Sequence, residues 1–297
     1  MYNLEELVEK IKASCADRVL VQLPEGLITK GPELEKLLSR EGIQATISLE
    51  PCYGACDLRD SEAERLGCEL LVHVGHSDFG VKSKVPVIYY PWEIDFDPVP
   101  VLEINLKKIP EKIGLVSSVN YLGSLEKARE FLKEQGRECF IAGQVLGCDV
   151  SKALKFEDKV DCFLYVGSGL FHPLGLALET EKKVFLLNSD KRSLEEVEPD
   201  IFIRQMEVAK ALAKDCNKFG ILVSTKPGQA KPEKSLEIKK KLESIGKSAF
   251  VFTMDNITPE KLLALGVDCY INTACPRIAI ENRTSFKKPI LNPNEIF

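Results

Sequence analysis

The sequence predicts an α/β protein built from three similar parallel-sheet lobes, and two observations carry that prediction. Short apolar runs alternate with amphipathic stretches along the chain, which gives parallel sheets covered by helices on both faces. The same order of signals then recurs three times, so the chain reads as one unit written in triplicate.

The first lobe opens with the apolar run Arg18-Val19-Leu20-Val21-Gln22-Leu23. A helical stretch from Glu33 to Arg40 follows, stops at Gly42, and leads to a second run from Gln44 to Leu49. In the second lobe the matching parts are Ile113 to Ser117, Leu125 to Gln135, Gly136, and Glu138 to Ala142. In the third they are Phe219 to Val223, Glu233 to Ile245, Gly246, and Lys247 to Phe252. Glycine suits the place after each helix because the chain there turns left-handed, which a residue without Cβ does at no steric cost. Third runs follow at Leu70 to Val74, Cys162 to Val166 and Cys269 to Asn272, and fourth runs at Val85 to Tyr90, Val184 to Leu187 and Pro289 to Leu291. Pro199 to Asp215 reads as a linker helix. The expected lobes are therefore 1–102, 103–215 with the linker helix, and 216–297.

The 297 residues, 44% of them hydrophobic, suffice for several packed cores. A formal charge of -5 gives no electrostatic footprint for nucleic acid, and Lys239-Lys240-Lys241 and Lys287-Lys288 read as solvated faces. The stretch from Asn3 to Ile11 has amphipathic helical spacing with acidic residues, unlike a signal or transit peptide. No apolar run approaches the length of a membrane span. The expectation is a cytoplasmic protein that contacts neither membrane nor nucleic acid.

Ten cysteines in a reducing compartment are packing residues, ligands or nucleophiles rather than a disulfide framework. Overlaying the lobes puts Cys56 (Gly54-Ala55-Cys56-Asp57) and Cys148 (Leu146-Gly147-Cys148-Asp149) in equivalent loops after the second strand. The third lobe has Thr253-Met254-Asp255-Asn256 there; its loop cysteine is Cys275, after the third strand in Asn272-Thr273-Ala274-Cys275-Pro276-Arg277. Each is preceded by a small residue and lies at the carboxyl ends of the strands, where ligands bind in such sheets. Cys139, Cys162 and Cys269 fall in strands, and Cys15, Cys68 and Cys216 flank element ends, as packing residues do. Cys52 makes the CxxxC start of a CxxxCxxC motif that Arg59 breaks, which leaves it as an alternative ligand. Three converging thiolates suit a zinc ion with one exchangeable position or a [4Fe-4S] cluster with one iron lacking a protein ligand, and spacing does not choose between them. Asp57 and Asp149 read as N-caps of helices from Leu58 to Leu66 and from Ser151 to Phe156.

The stretches Gln22-Leu23-Pro24-Glu25-Gly26-Leu27, Gly54-Ala55-Cys56-Asp57, Val74-Gly75-His76-Ser77, Gly147-Cys148-Asp149, Phe171-His172-Pro173-Leu174-Gly175 and Asn272-Thr273-Ala274-Cys275-Pro276-Arg277 together resemble the archaeal diphthamide-synthesis enzymes, the 2-(3-amino-3-carboxypropyl)histidine synthases. The match runs in order over nearly the whole chain. The resemblance implies three α/β domains arranged as a triangle around a central [4Fe-4S] cluster held by Cys56, Cys148 and Cys275. It also implies S-adenosylmethionine as substrate, elongation factor 2 as acceptor, an external electron donor and a homodimer. By this resemblance the reduced cluster gives an electron to the sulfonium, the bond from sulfur to the amino-acid side breaks, and 5′-methylthioadenosine leaves. The 3-amino-3-carboxypropyl radical then adds to C2 of a histidine imidazole.

The walls of a substrate pocket are expected from Pro24, Glu25 and Gly26, from Gly75, His76 and Ser77, and from Gln144, since all follow strands facing one centre. Gly167-Ser168-Gly169, leading into a short helix with His172, offers backbone N–H groups for a carboxylate. No residue stands out as a general base. Two competing readings share the lobes and the cluster: a quinolinate synthase-like dehydrating condensation enzyme, and a non-catalytic iron-sulfur partner subunit.

Overall fold

The structure, a computed structural model, describes residues 4–296. In the first lobe α1 (Leu4–Lys12) precedes β1 (Arg18–Gln22), α2 (Gly31–Arg40), β2 (Gln44–Ser48), α3 (Asp60–Arg65), β3 (Leu70–Val74) and β4 (Val87–Tyr90). The second contains α4 (Val99–Asn105), β5 (Lys112–Ser117), α5 (Leu122–Glu134), β6 (Glu138–Gln144), α6 (Ser151–Leu154), β7 (Cys162–Gly167), α7 (Phe171–Ala177), β8 (Lys183–Asn188), β9 (Ser193–Glu196) and α8 (Asp200–Lys214). The third contains β10 (Lys218–Ser224), α9 (Pro232–Ser244), β11 (Ser248–Met254), α10 (Pro259–Leu262), β12 (Cys269–Asn272), α11 (Arg277–Ile280) and β13 (Ile290–Leu291).

The three sheets repeat one strand order: β2-β1-β3-β4, β6-β5-β7-β8-β9 and β11-β10-β12-β13. All pairings are parallel except β8 with β9. The order reverses between the first and third strand of each lobe, and a crevice opens there at the carboxyl ends. The fold class expected from the sequence is thus the one observed.

Central strands are apolar throughout because both faces are covered. Val19 and Val21 enter one core while Leu20 packs on the other face with Leu58, Ala63, Cys68 and Leu71. In β7, Cys162, Leu164 and Val166 face one core and Phe163 and Tyr165 the other. Each such Leu, Ile or Val contributes roughly 1.5–3 kcal/mol over its exposed state. Gly42, Gly136 and Gly246 have φ of 79°, 78° and 81°, and the amides after them reach back to Leu38, Leu132 and Leu242. These are the left-handed helix stops that the sequence predicts.

The amphipathic first helix buries Leu4, Leu7, Val8 and Ile11; its expected first residue, Asn3, lies outside the described residues. Strand β9 escapes sequence reading because Ser193-Leu194-Glu195-Glu196 holds a single apolar residue on an edge. The expected boundary at 102 falls inside α4, whose Val101 and Leu102 pack with Phe96 into a second-lobe core. We therefore propose that the first lobe ends ahead of α4. The linker helix α8 ties two cores, with Phe202 against the second lobe and Ala209 and Ala213 in the third.

Candidate functional site

Cys56 sits in the turn closed by the Asp57 amide on the Gly54 carbonyl, after β2. Cys148 sits at the tip of a turn after β6, where Leu146 and Asp149 bond to each other through N–H and C=O in both directions. Cys275 precedes α11, and its carbonyl accepts from Asn272 Nδ2 at 2.8 Å. The three thiols converge closely enough to act on one another. Cys148 is pushed up to about 11: the residue is exposed, but its sulfur is desolvated among the loops, and Cys275 and Cys56 add to the rise. Burial raises Cys275 too, with Cys56 again contributing.

Four-coordinate zinc with sulfur at about 2.3 Å would hold its thiolates about 3.8 Å apart. The sulfurs of Cys56, Cys148 and Cys275 do not all lie within 4.8 Å of one another; among the described residues Cys52, His73 and His76 form such a group. The wider spread suits a polynuclear centre better than a single ion. Cys162 and Cys269 are wholly buried, as expected of packing residues.

Around Cys56 the first and third lobes interlock. Lys226, 4% exposed, places its ammonium 2.6 Å from the Asp57 carboxylate, 1% exposed. Burial raises the Asp57 carboxyl, against the pull of Lys226 and Arg59. Arg59 bridges Asp57 at 3.6 Å and Asp255 at 3.1 Å. Gly228 donates its amide to the Cys56 carbonyl at 2.9 Å, and a Cβ there would come within 2.6 Å of Cys56 Cα, so only glycine fits. Gln229 Nε2 lies 3.3 Å from Cys56 Sγ.

The N-cap expectation for Asp57 is therefore overturned: α3 begins at Asp60, and Asp57 is spent on a buried ion pair with another lobe. Asp149 is not the N-cap of α6 either: Val150 holds that position, and Asp149, one residue earlier, accepts from Ser151 N at 3.0 Å and Ser151 Oγ at 2.7 Å in a local turn.

Cys52 is buried beside a histidine pair. Gln22 donates Nε2–H to the Asp57 carbonyl at 2.6 Å, which turns its Oε1 toward His73 Nδ1 at 3.1 Å. That oxygen only accepts, so Nδ1 carries the His73 proton and Nε2 accepts from His76 Nδ1 at 3.1 Å. The ring centroids are 5.1 Å apart, nearly end to end, so this hydrogen bond fills the lone pair a metal would need. Burial lowers His73 to about 3 and His76 to about 4, and both are neutral at physiological pH.

Several expected pocket residues come together between lobes one and two. Gln144 Nε2 donates to Ser77 Oγ at 2.8 Å, and Asn120 Nδ2 reaches the Gly75 carbonyl at 3.1 Å. Gly75 has φ of 90°, and a Cβ on it would touch Pro24 at 3.0 Å. His172 stacks on Tyr165 with centroids 6.0 Å apart, and burial lowers it to about 4, with Arg277 and His76 adding to the effect. Gly167 is buried against Tyr165 and Tyr121, and Ser168 is half-buried beside it. Glu25 and Gly26 are exposed in the short 3-10 helix Glu25–Lys30 after Pro24, and a Cβ on Gly26 would have nothing within 4 Å.

Sequence reasoning missed Lys226, Gly228 and Gln229. A signal existed: Lys226-Pro227-Gly228 follows the first strand of its lobe as Pro24-Glu25-Gly26 follows β1. It also missed His73, which reads as one more inward strand residue, and the seating of Arg277 over the Phe171 ring at 4.4 Å.

Fold and site together define a three-lobed α/β protein in which each lobe sends one loop thiol to a shared centre. The family described as diphthamide synthesis proteins matches over residues 23–297. The 2-(3-amino-3-carboxypropyl)histidine synthase of Pyrococcus horikoshii is 35% identical, the match covering 98% of this chain and 88% of that protein. Its namesake in Methanocaldococcus jannaschii is 32% identical over 94% of this chain and 83% of its own length. The crystal structure of Dph2 from Pyrococcus horikoshii with a 4Fe-4S cluster superposes with a TM-score of 0.91 at 34% identity, covering 99% of this chain and 89% of that one. The chain belongs to the diphthamide-synthesis family and is an enzyme, a transferase.

Proposed function

We propose that this enzyme transfers the 3-amino-3-carboxypropyl group of S-adenosylmethionine to C2 of a histidine imidazole in elongation factor 2, the first step of diphthamide biosynthesis. The observation that carries the reading is the convergence of Cys56, Cys148 and Cys275 from three lobes, in a chain 35% identical to a synthase of that name. The three thiols fit a [4Fe-4S] cluster: they lie close enough to influence one another, are not all within 4.8 Å of one another, and would become thiolates on binding iron. When bound, that cluster supplies one electron to the sulfonium, so that the bond from sulfur to the aminocarboxypropyl carbon breaks and 5′-methylthioadenosine leaves.

The chain's own residues do the rest by holding. Cys56, Cys148 and Cys275 would hold three irons of the cluster and leave the fourth without a protein ligand, and Gly75, His76, Ser77, Gln144, Gly167, Ser168 and His172 would bind the substrate. Pro24 borders that group beside Gly75. The polar groups fix the orientation of S-adenosylmethionine, and orientation decides which carbon-sulfur bond faces the electron source. His76 and His172, both neutral, offer hydrogen bonds without placing positive charge beside the sulfonium. An external donor provides the electron, and the enzyme works as a cytoplasmic homodimer; among the described residues no helix is long and apolar enough to cross a membrane.

The test supplies elongation factor 2, S-adenosylmethionine and dithionite without oxygen and weighs the factor. A 3-amino-3-carboxypropyl adduct on one histidine, with equimolar methylthioadenosine, is the expected result. Quinolinate formed from iminoaspartate and dihydroxyacetone phosphate, with S-adenosylmethionine left intact, would overturn it.

A further inference from the structure

The segment from Lys226 to Gln229 folds into a turn, with the Gln229 and Ala230 amides on the Lys226 carbonyl at 3.0 and 2.9 Å. That turn clasps Cys56 twice. The Gly228 amide holds the Cys56 carbonyl, and Gln229, 8% exposed, aims its side-chain Nε2–H at the Cys56 sulfur. The three loop sulfurs differ in this respect. Cys148 is stabilised by its own backbone amide and Cys275 by that of Arg277, both within the same lobe. Of the three loop sulfurs, that of Cys56 takes a side-chain donor, and the donor comes from a different lobe.

We propose that Gln229 is a positioning residue that tunes the metal centre through Cys56, its N–H raising the potential at which the bound cluster accepts an electron. The inference rests on the cluster reading above. A hydrogen bond to a ligating thiolate withdraws electron density from sulfur, and the reduced cluster, one negative charge richer, gains more from it than the oxidised one. The step is a one-electron uptake with no proton transferred, the electron coming from an external reductant. Donor and acceptor sit on different lobes, so the bond depends on the packing of lobe three against lobe one.

The test is a potentiometric titration of anaerobically purified holoprotein, followed by electron paramagnetic resonance. Gln229→Met keeps the length and removes the donor; Gln229→Glu puts an anion in its place. Both variants are expected to retain full iron and to show midpoints more negative than wild type, Glu below Met, with iron-thiolate stretching bands shifted to higher frequency in Gln229→Met. Wild-type protein carrying ¹⁵N in its glutamine side chains is expected to show nitrogen coupling to the reduced cluster that Gln229→Met lacks. Midpoints equal to wild type at full iron content would overturn the proposal, as would folded variants that bind no iron, which would make Gln229 part of the ligation scaffold. If neither variant folds, absence of the nitrogen coupling in the labelled wild type overturns it. Wild-type protein that holds no iron would instead sink the cluster reading itself.

Discussion

Cys56 sits at a seam between lobes built from charge, with Lys226 on Asp57 and Arg59 between Asp57 and Asp255, whereas Cys148 sits among close-packed glycine and rings of its own lobe, reached from the third lobe by Arg277 over Phe171. There a Cβ on Gly175 would come within 2.5 Å of the Gly147 carbonyl oxygen, and one on Gly147 within 2.4 Å of the Phe171 ring that Arg277 covers. The two loops occupy the same position in their lobes and share a small residue, a cysteine and an aspartate. What differs is the neighbour. Cys56 meets a foreign lobe that brings a lysine, so its aspartate is drawn inward, while Asp149 faces solvent and turns back on Ser151. Equal motifs thus acquire unequal energetics from tertiary context alone.

The sharpest way to disturb either cysteine loop is to add a methyl group where backbones meet. Gly228→Ala and Gly175→Ala are each expected to abolish iron retention, because the clash is with main chain rather than with a movable side-chain tip. Iron content against circular dichroism checks this.

Next in size is the charge itself. Lys226→Met leaves the buried Asp57 carboxylate with only the longer Arg59 contact at 3.6 Å, at a cost of about 3 kcal/mol in denaturant unfolding. Lys226→Met combined with Asp57→Asn is expected to recover most of that loss; a double variant no better than the single one would show that charge is not what closes this seam.

Acid offers a third probe. His73 has its pKa lowered to about 3 by burial, so the unfolded chain binds that proton more readily than the folded one. Stability is present in full above about pH 6.5 and is lost as pH falls toward the folded value, by about 2 kcal/mol at pH 5 for this histidine. His73→Gln is expected to flatten the decline between pH 6.5 and 4, measured by urea midpoints.

The smallest effects belong to the Cys148 loop. Asp149→Ala is expected to cost about 0.5–1 kcal/mol, far below Asp57→Ala, although the sequence gives both residues the same role. Equal losses for the two aspartates would erase the distinction drawn here.

Much of this was legible in the residues. Triplicate runs, glycine stops at Gly42, Gly136 and Gly246, and the sorting of Cys162 and Cys269 into strands all depend on local chemistry, and all match the fold. What was not legible depends on lobe meeting lobe. Asp57 carries a helix-cap signature that tertiary pairing overrides, and nothing near Gln229 in the chain announces a sulfur contact 173 residues away. The edge strand β9 and the packing of α4 on the second lobe were missed because their apolar content is too small or too ambiguous to assign by period.

The central claim is that thiols from three lobes jointly hold one cluster. Iron and acid-labile sulfide counts on anaerobically purified Cys56→Ala, Cys148→Ala, Cys275→Ala and Cys162→Ala test it most directly. The account predicts about four irons per wild-type chain, a collapse in each of the first three variants and full retention in Cys162→Ala. Full iron in folded Cys148→Ala would contradict it.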